Sequence, residues 1–96
     1  MAAKGEDYEI YVGGKPFMNY VTAVVMQFTT QNASKVVIKS RGKFISRAVD
    51  VAEVVKSRFM KDQVDVGDIN INSEEFQNSE GRTVRVSTLD ITLNRR

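Results

Sequence analysis

The sequence predicts an α+β fold of order βαβαββ: a two-layer sandwich in which two helices cover a four-stranded mixed sheet, with the last two strands projecting as a hairpin. Three observations carry that prediction. Two segments repeat apolar residues at helical spacing, four others are rich in β-branched and aromatic residues, and the apolar parity switches partway along the last two strands.

The first strand is expected at 8–12, "YEIYV", where aromatic and β-branched residues favour extended backbone. "GGK" then leads to Pro16, which suits the first turn of a helix because its missing N–H needs no partner there. From Phe17 the apolar positions Met18, Val21, Val24, Val25 and Phe28 recur at helical spacing, and the helix runs out in the polar "TTQNAS". "KVVIKS" at 35–40 reads as a buried strand with Val36 and Ile38 on one face.

After Gly42 a second helix is expected from about Phe44 to Met60, with Ile45, Ala48, Val49, Ala52, Val55 and Phe59 as its inward stripe. Val51 and Val54 fall off that stripe. A helix apolar on a second side, in a chain this small, predicts a partner subunit over Val51 and Val54. Strands near 66–77 and 82–93, joined by "NSEGR" with Gly81 as the turn residue, complete the chain. Val84 and Val86 share one parity, whereas Leu89, Ile91 and Leu93 share the other, and Ile69 and Ile71 likewise disagree with Phe76. A switch in both strands predicts a bulge or strong twist, beyond which the hairpin leaves the body with Arg82 and Arg85 at its tip.

A hydrophobic fraction of 42% and a charged fraction of 27% describe an ordinary globular chain, and 96 residues suit one domain over 1–96. No apolar run is long enough to span a bilayer and no charged-then-apolar leader opens the chain, so no membrane partner is expected. Asn32-Ala33-Ser34 fits a glycosylation acceptor but, without a secretion signal, reads as chance. Cysteine is absent, which excludes disulfides and thiolate chemistry and points to a cytoplasmic location. Histidine is absent too, which removes the side chain most used for acid–base work near neutral pH and the commonest metal ligand. A non-enzymatic chain without a cofactor is the expectation.

The net charge of +2 hides a segregation: residues 35–61 hold eight bases against Asp50 and Glu53, and residues 62–80 hold six acids and no base. A basic block beside an acidic one predicts an oriented surface. The basic block is densest in "KSRGKFISRAVD", 39–50, where Lys39, Arg41 and Lys43 alternate around Gly42 and Arg47 follows on the helix. Phosphate suits such a strand-to-helix junction, because Gly42 permits close backbone approach and the helix N-terminus adds partial positive charge. A base-rich strand end taken alone is often only a solvated face. Four bases at one junction, Lys15 in a second loop and Arg82 and Arg85 on an arm together argue for a polyanion. Asn19 and Tyr20, at the start of the first helix, either contact phosphate or cap and pack.

Other constellations are weaker. Asp50 and Glu53 sit one helical turn apart but lack a third metal ligand, and are expected to pair with Arg47, Lys56 or the partner. Asp62, Asp65 and Asp68 lack the spacing, central glycine and terminal glutamate of a calcium loop. "GG" at 13–14 lacks the lysine–hydroxyl pair of a phosphate-binding loop.

"GKPFMNYV", "VVIKSRGKFISRAVDVAEVVKSRF" and "EGRTVRVSTLDITL" together resemble the Alba family of archaeal chromatin proteins, in order and spacing, over nearly the whole chain. The resemblance implies a fold like the C-terminal domain of a bacterial translation initiation factor, and a homodimer that coats double-stranded DNA and often binds RNA. It implies that the loop at Lys15 and the basic junction lie along the duplex centre while the two hairpin arms follow the minor groove. It also implies dimer–dimer contacts on DNA at the helix end around Arg58 and Phe59, although Phe59 reads as core by pattern. Family members often carry two lysines before the helix-opening proline, the first of them an acetylation site. Here Gly14 takes that first place and only Lys15 remains, which predicts weaker or more selective DNA binding. An RNA-binding ribonucleoprotein component is the alternative within binding proteins. A small-ligand regulatory domain would instead require a concave apolar pocket with convergent polar groups.

Overall fold

The computed structural model describes residues 7–96, and the leaderless reading of residues 1–6 concerns chain outside them. The elements are β1 (Asp7–Tyr11), α1 (Phe17–Thr29), β2 (Lys35–Arg41), α2 (Ile45–Val54), β3 (Val64–Gln77) and β4 (Thr83–Arg95). A 3-10 turn at Gly42–Phe44 leads into α2 and a π turn at Val55–Phe59 extends it. The sheet order is β1-β2-β4-β3, with β1 parallel to β2 and the other neighbours antiparallel. Two helices on a four-stranded mixed sheet with a terminal hairpin is the architecture the sequence predicts.

Strand alternation separates the two faces of the sheet. Val36, Ile38, Leu89, Ile91 and Leu93 point toward the helices and are buried with Val21, Val24, Phe28, Ala48, Val51 and Val55 in one core. Glu9, Tyr11, Lys39, Arg41, Thr88 and Asp90 occupy the other face through the registers Tyr11↔Lys39, Lys39↔Asp90 and Arg41↔Thr88. Pro16 lies just ahead of α1 in extended conformation, and the N–H of Asn19 donates to its carbonyl at 3.0 Å. Met18 is exposed, and Tyr20 takes the inward place beside Val21.

The second helix differs from the expectation in phase. Ala48, Val51, Ala52 and Val55 face the core, Val51 with no exposure at all, while Val49 is 42% exposed. Counted from Ala48 at about 100° per residue, Val51 lies roughly 60° to one side and Val49 roughly 100° to the other. Apolar residues on both flanks leave the periodicity unable to choose, and packing on the sheet selects the Val51 side. Val51 therefore offers no surface to a partner, and Val54 is half-buried against the chain's own core. Phe59 is corrected for a separate reason. The N–H of Met60 donates to the carbonyl of Val55 at 2.8 Å, an i to i+5 bond that widens the last turn. The inward position after Val55 thus moves from Phe59 to Met60, leaving Phe59 50% exposed and Met60 buried.

In the hairpin the expected irregularity falls on one strand only. The pairing steps from Val66↔Leu93 to Ile69↔Ile91, so β3 carries an extra residue near Gly67 while β4 continues in register to Thr83. The parity change within β4 has a different cause. As far out as Leu89 the apolar side chains meet the helix layer, and beyond it that layer has ended. There Val84 and Val86 share the opposite face with Phe76 (Phe76↔Val84), where the Arg41 guanidinium lies 6.0 Å from the Phe76 ring centre. The described residues span 46 Å along their longest axis against 22 Å along the shortest. At the arm's tip the Asn78 side-chain carbonyl accepts the N–H groups of Glu80 and Arg82, and Gly81 adopts a φ of 81°, which favours glycine.

Candidate nucleic-acid interface

Three segments converge at one end of the sheet. The strand β2 delivers Lys39 and Arg41 to the outer face, and Gly42, at a φ of 58°, ends it in left-handed backbone. Nothing would obstruct a side chain at Gly42, so the backbone angle rather than space calls for glycine. Lys43 follows in the 3-10 turn, exposed, with its ammonium 5.4 Å from the Phe44 ring centre. The Gly13–Lys15 loop packs alongside, since a Cβ on Gly14 would lie 3.9 Å from Cζ of Phe44.

Arg47 and Tyr20 hold that loop in place. The Arg47 guanidinium donates to the carbonyl of Gly13 at 2.8 Å and sits 5.8 Å from the Tyr20 ring centre. The N–H of Lys15 donates to the Tyr20 hydroxyl at 3.0 Å. Of the two readings for Tyr20, the geometry supports packing and bracing, with its ring buried. Arg47 joins it as a positioning residue, while Asn19 stays exposed beside the loop.

The charge at the junction is partly answered from within the chain. Lys39 donates to Asp90 at 3.2 Å and lies 3.8 Å from Glu9. The hydrogen bond to Asp90 holds the Lys39 ammonium above its ordinary lysine range, against some loss from burial. The contribution of this pair is therefore full at neutral pH and is lost only as strong alkali takes the pH through the raised value. Arg41 meets Glu74 at 3.1 Å, and Arg85 meets Glu75 at 2.6 Å. Lys15, Lys43 and Arg82 are exposed and carry no ion pair among the described residues. Sequence reasoning placed the bases and missed these acids, because the partners lie on other strands and only the register brings them together.

Glu53 pairs with Lys56 at 3.3 Å, and Arg47 is engaged with Gly13 rather than with Asp50. Asp65 binds Arg96 at 2.9 Å, and that hydrogen bond holds its carboxyl below the usual range. Among the described residues no three acidic side chains gather as a metal set, and no helix is long and apolar enough to cross a membrane. On the helix side, Val49, Val66, Ile69, Leu89 and Ile91 line an apolar groove of about 310 Å³, and Ile71 stands nearby at 77% exposure. A trough of about 630 Å³ on the outer face lies between Tyr11, Lys39, Arg41, Asn72 and Asp90.

The Alba family model matches residues 8–73. A protein named DNA/RNA-binding protein Alba from Nanoarchaeum equitans is 58% identical over 86 residues, covering 88% of this chain and 94% of that one. Its namesake from Methanococcus maripaludis is 48% identical over 87 residues, covering 91% and 97%. The solved structure of Alba from Thermoplasma volcanium superposes with a TM-score of 0.82 at 47% identity, covering 91% of this chain and 99% of that one. The structure of ALBA1 from Trypanosoma brucei, at 20% identity and a TM-score of 0.64, shares the fold. With a family model matching more than half of its residues and relatives this similar along nearly all its length, the chain belongs to the Alba family.

Proposed function

We propose that the chain is a non-enzymatic, cytoplasmic, chromosome-associated protein, one domain over 1–96, that binds double-stranded DNA as a homodimer through phosphate contacts. The observation that carries this reading is the exposed ridge formed by Lys15 and Lys43, whose two loops pack together through Gly14 and Phe44, with Arg82 at the tip of the arm. Cations without acidic partners have their full charge available to neutralise phosphates and release condensed counterions from a duplex. Lys39 and Arg41 lie behind the ridge, and Arg85 lies along the arm toward the minor groove. A second copy of the chain over the apolar groove at Ile69 completes the assembly, because large apolar side chains are exposed there together. Arg58 and Phe59, exposed at the π turn, are free for contacts between neighbouring dimers.

Titrating the protein against duplex DNA, duplex RNA and single strands across salt tests this reading. Tightest binding to duplex DNA, with affinity falling steeply and alike for all sequences, is expected. A clear preference for A-form RNA would instead support the ribonucleoprotein role, a reading favoured by relatives whose names include both nucleic acids.

Gly14 sets the strength of the ridge. Its position is exposed and its surroundings admit a side chain at ordinary contact distance. Gly14→Lys is therefore expected to fold and to add up to two phosphate contacts per dimer, steepening the log–log salt dependence by up to about 1.8. An unchanged slope in a folded, dimeric variant would show that position 14 does not face DNA, and the selectivity assigned to Gly14 would fall with it.

A further inference from the structure

Neighbouring glutamates on β3 each hold an arginine, on opposite faces of the arm. Glu74 accepts from Arg41 at 3.1 Å, reaching from the arm to the end of β2. Glu75 accepts from Nη2 and Nε of Arg85 at 2.6 and 3.2 Å, across the β3–β4 pair. All four side chains are more than half exposed. Exposed ion pairs are screened by solvent, so the fold gains little from either. The DNA-binding reading assigns both arginines to phosphate contacts, Arg41 behind the ridge and Arg85 along the arm. Glu80, at the turn, has no side-chain partner among the described residues and provides an internal comparison.

We infer, resting on the DNA-binding reading, that Glu74 and Glu75 are resident competitors for phosphate, occupying Arg41 and Arg85 in the free protein and yielding only to a fully seated duplex. A carboxylate and a phosphate oxygen present the same acceptor chemistry to a guanidinium. When a phosphate takes the arginine, a cation leaves the DNA but a carboxylate is uncovered close to the polyanion. The gain from counterion release is offset by that repulsion. Glancing encounters, which cannot place phosphates on both arginines, leave the pairs intact and are not rewarded. Lys15, Lys43 and Arg82 supply attraction, while the two glutamates set how complete the contact must be before the arms engage.

The test uses the full chain carrying Glu74→Gln, Glu75→Gln or both, with Glu80→Gln as the control of equal charge change, and duplex DNA titrated across salt. Each arm variant is expected to tighten binding roughly two- to fivefold at low salt. Each is also expected to steepen the log–log slope by about 0.9 per arginine released. Glu80→Gln should give a clearly smaller gain, and Glu74→Gln should give none in an Arg41→Ala background. Equal gains from Glu80→Gln and Glu74→Gln would mean general charge rather than competition, and would overturn the inference. Wild-type affinity in both arm variants would overturn it while leaving DNA binding intact. Absence of duplex binding by the wild-type protein would remove the DNA-binding reading and this inference together.

Discussion

Replacing both Arg41 and Lys43 with alanine is expected to weaken every duplex sequence about equally, by roughly eightfold for each phosphate no longer neutralised at about 0.1 M salt. The log–log slope should fall by about 0.9 for each such phosphate. The two residues will not share the effect evenly. Lys43 is exposed on a turn with only the Phe44 ring beside it, so its full charge is available to a phosphate. Arg41 is paired with Glu74, so its removal takes away less attraction. Lys43→Ala alone should therefore account for most of the slope change. Uniformity across sequences follows because phosphates carry no base identity. If affinity and slope both stay at wild-type values in the double variant, the junction is an ordinary solvated surface.

Ile69→Asp is expected to turn a dimer into a folded monomer. Ile69 is 55% exposed within one chain and lines the apolar groove with Val49 and Ile91. A carboxylate there is hydrated in the monomer, where a surface change costs within about 0.5 kcal/mol. Burying it unpaired at an apolar interface costs several kcal/mol, which corresponds to roughly a thousandfold weaker association. Light scattering at micromolar concentration reads both states. A monomeric wild type would contradict the assembly, and a dimeric Ile69→Asp would place the interface elsewhere. A charge at Val54 is a poorer probe, because that side chain already packs against the core and its replacement would damage the monomer as well.

Local chemistry was legible in the sequence where a single segment determines it. Gly42 between alternating bases announced the end of β2, Pro16 announced α1, and the apolar runs located all four strands. What depends on pairing between distant segments was not legible. Lys39 and Asp90 are 51 residues apart, and Arg41 and Glu74 are 33 apart, so no local pattern reveals that the bases of the junction meet acids. Arg47 looked like one more phosphate ligand, yet its donation to Gly13 makes it a brace for the neighbouring loop. The phase of α2 was hidden because valines flank its inward axis on both sides. The π turn was hidden because Val55, Phe59 and Met60 are all apolar, and only packing decides whether the spacing is four or five. Opposite faces of the arm carry apolar residues on different parities for a related reason: the helices stop before the strands do.

The long strand β3 has a consequence of its own. It is 14 residues long and forms an outer boundary of the sheet, paired on one side only, with β4. A row of open N–H and C=O groups of that length is a template for adding foreign strands, the first step toward fibrous aggregates. The extra residue between Val66 and Ile69 interrupts the row in its first half, and Asp65 and Asp68 set charge beside the break. Lateral growth of the sheet is thereby blocked at that point. Beyond it the edge from Ile69 to Gln77 stays open, so the break shields the body of the sheet and not the arm.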